Sequence, residues 1–222
     1  MQYLFHKHSS EPNLTLTGDE HRYLFKVRRH KEGEQIALRN LKDEKIYIYT
    51  IVSLTKKEAL LQLQEAKELP IKAEKSIHIA WCIIDPKSVE KILPTLNEMG
   101  VDKITFIYCK RSQKSFKLDF KRLEKILINS SQQCGRSSLM RLSLENSLEK
   151  FLELNPQTVM LNFSDTFIKK ESNIDTILIG CEGGFSQEEV SLFRQSKIVG
   201  LKTPLILKSE SAVCAVVAKI LI

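Results

Sequence analysis

The sequence predicts two folded parts, a small β-barrel over residues 1–70 and an α/β domain with a mostly parallel sheet over residues 71–222. Three observations predict it. The first part holds several short runs of strand character and no helical period over ten or more residues. From about Ser76 onward, apolar runs alternate with amphipathic helical patterns. Leu69-Pro70 marks the change, because the residue before a proline avoids helix.

In the first part, Lys45 to Val52 (KIYIYTIV) alternates polar and apolar before turning wholly apolar, and Ala59 to Leu63 behaves likewise. Gln35 to Leu38 and Leu14 to Leu16 are shorter strand candidates, and several short strands in so little chain suggest a barrel. In the second part, Ile77–Ile84, Ile104–Tyr108, Val159–Phe163, Ile177–Gly180 and Ile198–Leu201 read as buried parallel strands. Val89, Ile92, Leu93, Leu96 and Met99 share one helical face, and Gly100 is placed to cap it. Pro94 inside that pattern predicts a kink or a late start. Phe120, Leu123, Ile126 and Leu127 mark the inner face of a second helix, with Lys121, Arg122 and Lys125 outward. Ser186 and Glu189 form a capping box for a third helix, and Glu210 to Ile222 is a final apolar one. No internal repeat is present.

Of the 222 residues 42% are apolar and 27% charged, the balance of a soluble globular protein. The net charge is +7, and the basic residues cluster. Lys110, Arg111, Lys114, Lys117, Lys121, Arg122 and Lys125 face only Asp119 and Glu124, and Arg22, Lys26, Arg28, Arg29 and Lys31 form a second group. Two separated patches suit an extended polyanion such as a folded RNA; the plain alternative is a solvated surface. The five cysteines are widely spaced with no C-x-x-C pair, so neither zinc nor a disulfide framework is indicated and reduced thiols in a cytoplasmic protein are expected. Met1 to Ser10 lacks the apolar core of a signal peptide, and Ala212 to Ile222 is too short to span a bilayer.

Three stretches carry candidate chemistry. Ile177 to Glu189 (ILIGCEGGFSQEE) runs from a buried strand through a glycine loop into the capped helix, at the sheet edge where α/β proteins bind ligands. It matches neither a dinucleotide fingerprint nor a P-loop, and a plain tight turn explains a lone Gly-Gly as well. Val199 to Val213 (VGLKTPLILKSESAV) leads from strand to last helix, and ordinary capping accounts for Ser209 and Glu210. Ser130 to Arg136 (SSQQCGR) ends the basic helix, where a cap at Gly135 followed by an exposed arginine is the plain reading.

In this order the stretches resemble the RsmE family, which methylates N3 of a uridine in 16S ribosomal RNA and belongs to the SPOUT class of knotted methyltransferases. Glu98-Met99-Gly100-Val101 is similar to the family's E-L-G-V, and Gln132-Gln133-Cys134-Gly135-Arg136 to its E-Q-C/S-x-R. Gly180-Cys181-Glu182-Gly183-Gly184 is similar to G-P-E-G-G, and Leu201 through Ala212 to L-G-x-R-I-L-R-x-E-T-A. Val27-Arg28-Arg29, with Gly33 following, resembles V-L-R. Cys181 replaces a proline, Thr203 stands at a glycine, Leu205 and Lys208 replace arginines, and Ser211 replaces a threonine.

The resemblance implies a trefoil-knotted SPOUT methyltransferase domain with a parallel sheet, preceded by a small PUA-like β-barrel. It implies S-adenosylmethionine as cofactor, bound by Leu161, Ile179, Gly180, Gly183, Gly184, Leu201, Leu207 and Ser211. A Cβ at Gly180 or Gly183 would then occupy ligand space, and Leu201 and Leu207 would flank the adenine. Arg136 and Glu182 are the implied catalytic residues, and Arg28, Arg29, Lys110, Arg111 and Lys114 the implied RNA contacts. No metal is expected. The implied partners are 16S rRNA, in the small ribosomal subunit, and a second copy of the chain, with the apolar last helix as an interface element. Two rivals stand beside this reading. One is a non-catalytic RNA-binding assembly factor whose pocket Thr203 and Leu205 block; the other is a knotted enzyme acting on another atom, such as a ribose 2′-hydroxyl.

Overall fold

The computed structural model describes residues 3–222; Met1 and Gln2, part of the stretch read for a leader, lie outside the described residues. The chain divides into two compact units, one formed by the chain up to Lys72 together with Ile128–Leu139, the other by Ala73–Leu127 and Met140–Ile222. The first break thus falls two residues beyond Pro70, and a later segment joins the first unit.

The first unit holds β1 (Leu4–Phe5), β2 (Asn13–Thr17), a short helix α1 (Gly18–His21), β3 (Gln35–Arg39), β4 (Lys45–Leu54) and β5 (Glu58–Glu68), in the sheet order β1-β3-β4-β5-β2. Among the described residues no pairing joins β1 to β2, so the expected barrel is a half-barrel. The alternation Leu14, Leu16 on β2 and Tyr47, Tyr49, Ile51 on β4 builds one buried face, filled further by Leu24, Ile36, Leu38 and Leu61. Two register shifts bend the β4–β5 pair. Arg39 is buried here, its guanidinium donating to the carbonyls of Glu44 (3.0 Å) and Leu69 (2.8 Å). The segment Arg22–Val27, which sequence periodicity leaves unassigned, winds as a wide turn whose Arg28 N–H reaches back five residues to the Tyr23 carbonyl at 2.9 Å.

The second unit contains six parallel strands. In chain order the elements are β6 (His78–Cys82), α2 (Pro86–Glu98), β7 (Lys103–Ile107), α3 (Phe120–Cys134), whose part from Ile128 onward belongs to the first unit, β8 (Arg141–Glu145), α4 (Leu148–Leu154), β9 (Val159–Leu161), β10 (Thr176–Ile179), α5 (Gln187–Ser191), β11 (Ile198–Val199) and α6 (Ser209–Leu221). The strand order is β11-β9-β10-β6-β7-β8. The sequence reading missed β8, a half-buried edge strand without the wholly apolar character of its neighbours. Pro94 neither delays nor ends α2, which starts at Pro86 with the Asp85 carboxylate accepting from the Ser88 N–H. Its C-terminus closes as expected: Gly100, at φ +97, donates to the Asn97 carbonyl while the Val101 N–H donates to that of Leu96. On α3, Leu123 and Leu127 are buried while Lys121, Arg122 and Lys125 are exposed. α6 lies against α2 and β10, burying Ala212, Val213, Val216, Val217 and Ile220.

One expectation about the cysteines is corrected. Cys82 and Cys109 form a disulfide with their Cα atoms 5.6 Å apart. Cys82 pairs in register with Ile107 on the neighbouring strand, which brings Cys109 alongside, and a separation of 27 residues gives no sign of this in the sequence. No helix of the described residues is long and apolar enough to cross a membrane.

Candidate functional site

At the carboxyl ends of β11, β9 and β10 three loops enclose a cavity of about 890 Å³. The loop after β9 supplies Asn162, Phe163, Ser164 and Asp165; the loop after β10 supplies Gly180 through Phe185; the stretch after β11 supplies Gly200, Leu201, Thr203 and Leu205 to Lys208. Of the expected cofactor residues, Leu161, Ile179, Gly180, Gly183, Gly184, Leu201 and Leu207 all line it, and Glu182 with them. Ser211 does not line it. It is exposed on α6, and Ser209 and Ala212, three residues apart and therefore on one helical face, form that wall instead. The cavity is open although Thr203 and Leu205 border it.

The glycine loop is a tight turn with built-in tethers. The Gly184 N–H donates to the Cys181 carbonyl at 2.9 Å, and Gly184 has φ +66. Cys181, standing where the family has proline, is buried with its thiol 3.8 Å from the Gly184 carbonyl. The expectation that a Cβ on Gly180 or Gly183 would enter ligand space is corrected. A Cβ on Gly180 would press on the Phe185 ring at 3.2 Å, and one on Gly183 on the Arg111 side chain at 3.3 Å. The glycine with the strictest need is Gly200, where a Cβ would collide with the backbone carbonyl of Ser164.

Ser209 is not a helix cap; Lys208 holds that position. Its buried hydroxyl donates to the Gly180 carbonyl and accepts from the Trp81 indole N–H at 2.9 Å. Glu189 holds the other side. Its buried carboxylate accepts from the Ser186 N–H at 2.8 Å, completing the expected capping box, and from the Lys110 N–H at 2.7 Å. Glu182 is exposed, and its carboxylate takes no protein hydrogen bond among the described residues.

The basic residues divide. Arg111 Nη1 donates to the Gly183 carbonyl at 2.7 Å, and the Lys110 ammonium pairs with Glu188, which raises the lysine's pKa and lowers the glutamate's. Both are therefore engaged with the glycine loop and α5, while Lys114 is exposed. Arg28 and Arg29 lie in the first unit, where Arg29 has a left-handed backbone at φ +60. Arg136 also belongs to the first unit. Gly135 caps α3 at φ +87, but Arg136 is buried at 6% exposure rather than exposed, and its carbonyl accepts from the Tyr3 hydroxyl at 2.7 Å. Arg136 does not line the cavity. The sequence reading missed Asp165, Ser209 and Gly200 as lining residues; only the strand–loop periodicity around Val159–Phe163 pointed toward the first.

Comparison with known proteins agrees with this geometry. Residues 72–221 match a family model described as an RNA methyltransferase domain, and residues 16–64 one described as an RNA methyltransferase PUA domain. The chain is 38% identical to Ribosomal RNA small subunit methyltransferase E of Helicobacter pylori (strain ATCC 700392 / 26695), over 99% of each chain. It is 24% identical to the protein of the same name from Aquifex aeolicus (strain VF5), over 97% of each. A solved structure of Ribosomal RNA small subunit methyltransferase E from Neisseria gonorrhoeae, bound to S-adenosyl methionine, shares the fold with a TM-score of 0.78 at 18% identity, covering 98% of this chain and 95% of that one. With a parallel sheet whose carboxyl edge opens into a glycine-lined cavity, a half-barrel unit, and near-full-length similarity to these relatives, the chain belongs to the small-subunit ribosomal RNA methyltransferase E family of RNA methyltransferases.

Proposed function

We propose that this protein transfers the methyl group of S-adenosylmethionine to N3 of a uridine in 16S ribosomal RNA. The observation that carries the reading is the open cavity at the ends of β9, β10 and β11. Its residues fit the cofactor: apolar surface from Leu201, Ile206, Leu207 and Phe163 suits a flat purine, main-chain groups of the glycine loop suit its edge, and the carboxylates of Asp165 and Glu182 suit an ammonium group. The cofactor would supply a methyl carbon already activated by its sulfonium, so the protein's task is alignment and preparation of the nucleophile.

Uridine N3 carries a proton at neutral pH, and its lone pair becomes available only when that proton leaves. Glu182, exposed at the cavity wall and without a hydrogen-bond partner among the described residues, is the proposed orienting group or proton acceptor. Arg136 is the proposed cation for the uracil oxygen or an adjacent phosphate; a guanidinium stays charged when buried, and reduced solvent screening strengthens its field. Arg28, Arg29 and Lys114 are assigned to RNA contacts. Lys110 and Arg111 serve the glycine loop first, and any phosphate contact they make is shared with it. Passage of the chain after β11 through a loop as a trefoil knot, closure of the first unit's sheet as a PUA-like domain on RNA, a homodimer and a cytoplasmic site of action on the small subunit all belong to this proposal.

Calorimetric titration with S-adenosylmethionine should give a saturable heat; none at millimolar ligand would favour the RNA-binding assembly factor. Nucleoside mass spectrometry of rRNA from a deletion strain should show 3-methyluridine lost and restored by the wild-type gene. Undiminished 3-methyluridine with loss of another methylated nucleoside would move the reaction to a different atom.

A further inference from the structure

A second cavity, of about 680 Å³, lies wholly within the first unit. Tyr23, Arg28, Asp19, Glu20, and Gln132 and Gln133 of α3 are among the residues that line it. Tyr23 is 39% exposed, with the Arg28 guanidinium 5.4 Å from its ring centroid and Nε donating to its hydroxyl at 3.0 Å. Ring and guanidinium are thus preassembled as a π surface. The local backbone is unusual in two independent ways: the wide turn through Arg22–Val27, and the left-handed Arg29 that follows. Such conformations are retained where they aim a side chain.

The polar groups define the ligand. Two carboxylates against one arginine make the cavity net negative, which disfavours a phosphate. Ionised carboxylates only accept hydrogen bonds, so the matching ligand edge carries N–H donors. Glu20 is 3.7 Å from the His6 ring, and the Gln132 side-chain Oε1 already accepts from the Phe5 N–H at 2.7 Å. Asp19 and Gln133 take no side-chain partner among the described residues, so both are available. A flat ring system with donors on its edge and no charge of its own is an unpaired nucleobase, which proteins bind by stacking on aromatic and guanidinium planes while reading its edge.

We propose that this cavity holds one unpaired base of the RNA substrate, stacked on the Tyr23–Arg28 pair with its donor edge toward Asp19. Guanine fits best, because its ring N–H and amino group present adjacent donors to a carboxylate. The inference rests on the proposed RNA substrate but concerns recognition, not methyl transfer.

The test is fluorescence anisotropy with the full chain and short single-stranded oligouridines carrying a central guanosine, adenosine or uridine. Wild type should prefer the guanosine oligomer. Tyr23→Ala should lower its affinity roughly tenfold, with little change in salt dependence, and Asp19→Ala should abolish the preference. Tyr23→Phe, which keeps the ring, should retain wild-type affinity and so separates lost stacking from misfolding. Absence of a base preference in wild type, or an unchanged affinity for the guanosine oligomer in Tyr23→Ala, would overturn the proposal. Methylation of small-subunit RNA by the same preparation, measured in parallel, distinguishes the failures. Methylation without base preference sinks only this site, whereas base preference without methylation or cofactor heat sinks only the enzymatic reading.

Discussion

The glycine loop after β10 and the stretch after β11 border the same cavity and are held in opposite ways. The first is tied at three points by side chains from elsewhere in the chain: Arg111 on the Gly183 carbonyl, Ser209 on the Gly180 carbonyl, and Glu189 linking Ser186 to Lys110. The second, from Leu201 to Lys208, carries only local bonds among the described residues, such as the Leu205 N–H to the Thr203 hydroxyl at 3.1 Å, and leaves Leu205 and Ile206 71% and 83% exposed. One wall is preorganised, so ligand contact there costs little ordering; the other presents apolar surface that gains most when a ligand covers it.

Mutations should separate the two walls. The largest effect is expected where the open wall begins: Gly200→Ala puts a methyl against the Ser164 carbonyl and should destabilise the fold by about 3 kcal/mol while abolishing S-adenosylmethionine binding. Denaturant titration and calorimetry measure the pair, and wild-type affinity would show that the backbone can yield. Next, Glu189→Ala leaves two N–H donors without their acceptor and should cost about 2 kcal/mol, with cofactor affinity falling in parallel. If stability drops and affinity holds, the tether serves the fold alone. Ile206→Ser should do the reverse, changing stability by less than about 0.5 kcal/mol and weakening cofactor binding roughly five- to tenfold.

The smallest effect lies away from both walls. Burial, with Lys103 and Arg141 nearby, lowers the His78 pKa to about 4, and its Nε2 sits 2.7 Å from the Thr105 hydroxyl. The folded state therefore holds this ring neutral where the unfolded chain would bind a proton. The contribution is fully present above the ordinary histidine pKa near 6.5 and is lost as pH falls toward 4. The urea midpoint should decline over that window, and His78→Asn should flatten the decline; an unchanged slope would assign it to the carboxylates.

Much of the second unit was legible because its signals are local. Five buried strands, the Ser186–Glu189 box and the Gly100 cap each rest on residues within a few positions of one another. The half-buried strand β8 escaped because an edge strand need not be apolar on both faces, and the wide turn at Arg22–Val27 escaped because it follows neither the strand nor the α-helical period. The cavity was legible through its glycines and leucines. The error over Ser211 came from reading a motif as a string where helix geometry selects positions 209 and 212.

By itself, then, the sequence determined which segments are strands or helices, where they cap, and that glycine-rich and apolar loops follow the strands that carry the site. Tertiary structure alone decided that Cys82 meets Cys109, that Ser209 and Glu189 anchor the glycine loop, and that Arg136 is buried. The reason is that periodicity records which face of an element is covered, whereas a partner dozens of residues away is chosen by how the strands are ordered in the sheet.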